Sequence, residues 1–168
     1  VEDRSAAVQR YIPCQVFLNG EYWGMYYLME KYSAEYLENH YQVPASDILL
    51  IKDSEEIQSG NAEDYTCWQE VLDLFRKDLS DPDNYTALLE KVDIQSLIAN
   101  IYIANTDTRP LGGNVYTWRS IRPTGEDYND GKWRWILYDL DDALAVGTEY
   151  ENNEPWKMDA FTDHAGYY

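Results

Sequence analysis

Three oxygen-bearing side chains stand out by type and spacing. Asp107 and Asn114 lie seven positions apart in the run Asn105-Thr106-Asp107-Thr108-Arg109-Pro110-Leu111-Gly112-Gly113-Asn114, and Asp139 opens the cluster Asp139-Leu140-Asp141-Asp142. Carboxylate and amide oxygens are hard donors. A magnesium-type ion needs only one or two carboxylates beside the oxygens of a phosphorylated substrate. In phosphoryl transfer, one loop carboxylate accepts the proton of the attacking hydroxyl. An amide several residues later holds one metal ion, and a carboxylate beyond the next hairpin holds the ion that bridges the phosphates.

Local sequence gives these residues a common place. Val115 to Arg119 reads as an extended run, Ser120 to Gly131 as a polar turn, and Lys132 to Tyr138 as the return strand. In an antiparallel hairpin the start of one strand lies beside the end of the other, so Asn114 and Asp139 are expected at one end. Asp107 precedes them in the loop at that same end. Pro110 fixes φ, and Gly112 and Gly113 permit the bend. Trp133, Trp135 and Leu137 alternate onto one face and are expected to wall a partly dry pocket beside the metal residues. Asp93 is predicted to cap the helix leading to Asn105, with Ile94, Leu97, Ile98 and Ile101 as its buried face.

Upstream, residues 1–12 read as the tail of a helix and Gln15 to Leu18 as a strand. Asn19-Gly20 is a strong two-residue hairpin signal. The return strand, Glu21 to Leu28, has large groups on both faces, which predicts cover on both sides, and Gly24 predicts a bulge or a close backbone approach. Ser33 caps a short helix with Tyr36, Leu37 and Tyr41 on its apolar edge, ended by Pro44. Asp47 to Lys52 is a buried strand and Ser54 to Asn61 a polar loop. A longer helix from about Ala62 carries the stripe Trp68, Val71, Leu72, Phe75 and Leu79. Asp81-Pro82-Asp83-Asn84 stops it, and a short helix runs from Tyr85 to Val92. Segregated hairpins and helices predict an α+β fold rather than alternating α/β.

The chain's 168 residues are expected to form a single domain, 1–168, large enough to bury a core. Hydrophobic residues make up 45% and aromatics 15%, which excludes a disordered tail. No apolar run approaches the roughly 20 residues a spanning helix needs, so no membrane insertion is expected. Thirteen basic and 31 acidic residues give a net charge of −18. That balance repels nucleic acid and anionic membranes and attracts divalent cations and basic partners. Most of the carboxylates are expected simply to solvate the surface. Cys14 and Cys67 have no metal-type spacing and are expected as two free thiols rather than a disulfide. His40 and His164 are isolated and expected on the surface.

Taken singly, Asp after a strand and Asn before one are common turn residues; it is their order that points to chemistry. The Asp-rich cluster lacks the Gly and terminal Glu of an EF-hand loop. No P-loop and no Ser-His-Asp or Cys-His signature is present.

In three segments the chain resembles the CotH kinase family, named for a spore-coat protein. The first is Val16 to Tyr26, with Glu30-Lys31 and Tyr36-Leu37. The second is Asn105-Thr106-Asp107 through Asn114. The third is Lys132 to Asp141, with its Trp133-Arg134-Trp135 motif. The resemblance implies a protein-kinase-like fold, mainly the helical C-terminal lobe with β-hairpins. It also implies metal-dependent transfer of phosphate from ATP, with Mg2+ or another divalent cation, to serine of a protein substrate such as a coat or cell-surface protein. Asp107 would be the catalytic base, and Asn114 and Asp139 the metal ligands, with Asp141 a further one. Met29, Glu30 and Lys31 would lie in the hinge that meets adenine. The family places an aromatic residue where this chain has Thr108. On a kinase layout the strands that cover the phosphates precede this sequence. The expectation is therefore a fragment of a larger bacterial protein, at the cell surface, in the spore coat or secreted, with weak ATP turnover on its own. A binding or adhesion module that keeps the fold without activity is the alternative. A carbohydrate-active enzyme using Asp107 and Asp139 is a third reading, since it needs two carboxylates across an aromatic-lined groove.

Overall fold

Asn19 and Gly20 both adopt positive φ, 51° and 85°, which is the backbone a two-residue type I′ turn requires. The turn joins β1 (Tyr11–Leu18) to β2 (Glu21–Met29) as an antiparallel pair. The computed structural model describes residues 6–103, 111–141 and 143. The segment 6–10 is not helical, and β1 starts four residues before the expected strand, taking in Pro13. A two-stranded ribbon has only edge strands, where the missing N–H of proline is tolerated. Val16 pairs with Gly24 but Phe17 with Tyr22, so Trp23 is the extra residue of a bulge, and Gly24 takes φ 140°. The expectation that this hairpin is covered on both sides is not met. Among the described residues Tyr11, Phe17, Tyr22, Trp23, Tyr27 and Leu28 are all exposed. Among the described residues the two strands pair only with each other. The rings pack across strands instead, Tyr11 on Tyr27 and Phe17 on Tyr22, with centroids 5.3 and 5.5 Å apart.

Beyond the hairpin, Ser33 caps α1 (Ala34–Tyr41), its hydroxyl accepting from the Tyr36 N–H. The helix ends at Gln42 in the left-handed conformation, two residues before Pro44. A four-stranded sheet follows in the order β4-β3-β5-β6, formed by β3 (Ile48–Lys52), β4 (Glu56–Ser59), β5 (Tyr116–Ser120) and β6 (Arg134–Ile136). The stretch read as a polar loop from Ser54 to Asn61 therefore contains an edge strand. Its polar side chains hide the period, with only Ile57 turned onto the core.

The helices are α2 (Thr66–Phe75), α3 (Pro82–Lys91) and α4 (Ile94–Tyr102). The expected stop at Asp81-Pro82 is instead a start. Asp81 accepts from the Asp83 N–H and Pro82 takes the first turn, where no N–H is needed. The α2 helix has already ended at Phe75, so Leu79 lies outside it. Asp93 caps α4 through the Gln95 and Ser96 N–H groups. On α4 the buried positions are Ser96, Leu97 and Asn100, while Ile98 is 54% exposed, so the buried stripe is rotated from the one expected.

The molecule is mixed α+β, with β3 buried on both faces. One face carries Ile48, Leu50, Tyr116, Trp118 and Ile136 against Tyr32, Tyr36 and Leu37. The other carries Leu49, Ile51, Val115, Trp133 and Trp135 against Trp68, Val71, Leu88 and Leu97. A continuous apolar run such as Ile48-Leu49-Leu50-Ile51 is what a strand between two layers requires.

Candidate functional site

Strand register brings two of the candidate residues, Asn114 and Asp139, to one rim of the four-stranded sheet. Lys52 pairs with Tyr116, and Tyr116 with Ile136. Continuing past the strand ends in that register leads to Asp53 after β3, Asn114 before β5, and Tyr138-Asp139 after β6. Asn114 and Asp139 thus come to the same end of the β5–β6 pair, and each has φ 52°. Asn and Asp are the non-glycine residues that best tolerate this left-handed backbone, which ends the pleat and turns each chain away from the ladder.

Two contacts fix this rim. Asp53, also at φ 52°, donates its N–H to the Val115 carbonyl (2.8 Å), while its Oδ1 accepts from the Val115 N–H (3.2 Å). Buried Tyr32 donates its hydroxyl to the Leu137 carbonyl (2.6 Å), tying the segment after β2 to the residue two before Asp139. Burial pushes the Tyr32 hydroxyl far above the usual phenol range, so it stays a donor. Tyr138 packs edge-on to Tyr116 at 4.9 Å, and the Lys52 ammonium lies 5.9 Å from the Tyr138 ring centre. Lys52 and Asp53 approach to 3.8 Å, and the Asp53 carboxylate raises the Lys52 pKa. Both are partly open to water, so the pair is weak.

Met29, Glu30 and Lys31, expected to form a hinge, lie at the end of β2 and just after it, Met29 and Lys31 exposed and Glu30 partly so. Glu30 is already engaged. Its N–H donates to the Arg10 carbonyl (3.0 Å), and its carboxylate accepts from the Arg10 N–H (2.9 Å) and meets His40 Nε2 (3.1 Å). Burial works against its charge, but these partners outweigh it and hold the carboxyl below its ordinary range. His40 is therefore not isolated; it also stacks on Tyr36 at 4.2 Å. Within an antiparallel pair alternate residues turn their backbone groups outward. With Glu30 bonded to Arg10, the neighbouring Met29, paired with Tyr11, turns its backbone groups away from the partner strand.

Asp141 is exposed in the turn after Asp139. Asp107 lies outside the described residues. Among the described residues no three His, Cys, Asp or Glu side chains form a metal-binding group. Asn114 and Asp139 carry hard oxygen donors, the type that a cation held largely by phosphate oxygens takes from a protein. Trp133 and Trp135 do not wall this site. Both are fully buried against Trp68, with centroids 4.7 and 6.1 Å away, so they belong to the helical core. Cys14 on β1 and Cys67 on α2 are not joined by a disulfide.

A cavity of about 630 Å³ lies elsewhere, between the α3–α4 junction and residues 125–132. Its buried charge is internally matched. Arg134, 4% exposed, holds both carboxylate oxygens of Asp130 (2.8 and 2.9 Å), and its Nε lies 3.3 Å from Asp93. Nε itself makes no hydrogen bond, and the cluster braces the fold through the two-oxygen hold on Asp130 and the ion pair with Asp93. Sequence reasoning gave no role to Asp53 or Tyr138. The available signal was the pair Lys52-Asp53, two charges closing an otherwise apolar strand.

A family model described as CotH kinase protein matches residues 1–166. Neither the comparison with curated proteins nor that with solved structures gave a match.

Proposed function

The chain belongs to the CotH kinase protein family, and on that premise we propose that it is an atypical kinase-like domain transferring phosphate from ATP to serine of a protein substrate, one of a spore coat or cell surface. The observation that supports this most is the common end of β5 and β6, which carries Asn114 and Asp139 in matching left-handed turns. On this reading the two side chains would hold a divalent cation, with Asp141 as a further ligand. Such an ion, when bound, would supply positive charge that offsets the phosphate oxygens. Asp107 accepts the serine proton as the oxygen attacks the terminal phosphorus. Met29 offers outward-facing backbone to the base, while Glu30 holds the hinge to Arg10. Tyr32 keeps that hinge in register with the strand leading to Asp139.

Titration with Mn2+ in the presence and absence of ATP, followed by electron paramagnetic resonance, tests the assignment. Asp139→Asn should weaken nucleotide-dependent Mn2+ binding by at least roughly tenfold, a loss of about 1.4 kcal/mol. Asp107→Asn should leave that binding intact and remove serine phosphorylation. Equal nucleotide-dependent Mn2+ binding by the parent chain and Asp139→Asn at about 0.15 M salt, where diffuse binding is screened, would reject the site.

A further inference from the structure

We propose that Asp53 is a positioning residue that sets Asn114 for cation binding through its hydrogen bond to Val115; this rests on the functional reading above. In a regular antiparallel ladder, Asp53 and Val115 would exchange two backbone hydrogen bonds. One is present, from the Asp53 N–H to the Val115 carbonyl at 2.8 Å. The other is replaced. At φ 52° the Asp53 backbone turns out of the strand, and its Oδ1 takes the Val115 N–H at 3.2 Å. Val115 is thereby held on both backbone groups by one residue, while its side chain is fully buried. Asn114 is the residue immediately before it, so its backbone is anchored on its C-terminal side.

The Asp53 turn is itself braced. Ser54 follows at φ 62° and is buried, and the Tyr65 hydroxyl donates to its carbonyl. The chain therefore leaves β3 along a fixed path. Residues that orient metal ligands without touching the ion typically change affinity by about 10–100-fold when altered.

Three substitutions separate position from charge. Asp53→Asn keeps an oxygen acceptor at the same reach and tolerates positive φ. Asp53→Glu keeps the charge but moves the acceptor by one methylene. Asp53→Gly removes the acceptor and accepts the backbone without strain. Two readouts are taken: Mn2+ affinity in the presence of ATP, and hydrogen exchange at the Val115 amide. The Gly and Glu variants should lose about tenfold or more in affinity together with Val115 protection, and the Asn variant should keep both. Wild-type affinity in Asp53→Gly or Asp53→Glu with an unprotected Val115 amide would overturn the inference. So would a loss in Asp53→Asn as large as that in Asp53→Gly, which would assign the effect to charge. If Asp139→Asn abolishes binding while the Gly and Glu variants retain it, only this inference falls. If Asp139→Asn binds like the parent chain at about 0.15 M salt, the site reading falls and takes this one with it.

Discussion

Arg134 shows how one side chain joins parts of the molecule that are distant in sequence. It projects from β6, stacks near Trp118 and Tyr128, and binds Asp130 in the preceding turn and Asp93 at the start of α4. Removing one partner of a buried ion pair leaves a desolvated charge, so loss costs more than the pair contributes. Replacing Arg134 with Met leaves Asp93 and Asp130 partly open to water. Arg134→Met should therefore lower unfolding free energy by about 3 kcal/mol, the lower end of that range, in urea titration at neutral pH. For Asp130, burial favours the neutral form, but the hydrogen bonds from Arg134 and the Lys132 N–H outweigh it and hold the carboxyl below its usual value. A folded pKa below the unfolded one contributes stability that is complete above the unfolded value, near pH 4, and is lost as pH falls through the folded one. The stability gap between the parent chain and Asp130→Asn should accordingly be constant above about pH 5 and shrink below about pH 4. A gap that stays constant to pH 2 would show that Asp130 ionisation does not matter.

Among the elements, those whose signals are local were legible in the sequence. Asn19-Gly20 dictates its turn, Ser33 and Asp93 cap their helices, and Ile48 to Ile51 announces a strand buried on two sides. What was not legible depends on partners far away in the chain. Asp53 acquires its role from Val115, 62 positions on, and a strand ending in Lys52-Asp53 gives no hint of which strand lies beside it. Edge strand β4 was hidden by its polar residues. The exposed aromatic hairpin was misjudged because alternation shows that both faces are apolar, not that both are covered. The same contrast separates two substitutions. A Cβ on Gly60, at φ 99°, would lie 2.7 Å from Leu49 Cδ1 and 3.3 Å from its Cα. Gly60→Ala should cost about 1–3 kcal/mol through crowding and backbone strain, read as a shifted denaturation midpoint. Trp23→Ser, on the open hairpin, should change stability by no more than about 0.5 kcal/mol, measured the same way.

At the scale of the whole molecule the governing quantity is the net charge of −18. Such a chain gathers divalent cations over its surface without any built site, so cation binding alone says little about the Asn114–Asp139 rim. Ionic strength separates the two. At about 0.01 M salt the screening length is about 30 Å, and carboxylates over most of the molecule act together. At about 0.15 M it falls to about 8 Å, and only charges close to the ion still count. Diffuse binding should therefore fade with added KCl. Binding through Asn114, Asp139 and the phosphates of a nucleotide rests on direct oxygen contacts and should persist. In Mn2+ titrations with ATP, the parent chain and Asp139→Asn should look alike at low salt, where many weak sites mask the strong one. They should diverge as salt rises, the variant losing its residual binding while the parent keeps one nucleotide-dependent class. Parallel loss in both proteins would mean that the rim holds cations only as part of a general acidic surface, whatever its geometry.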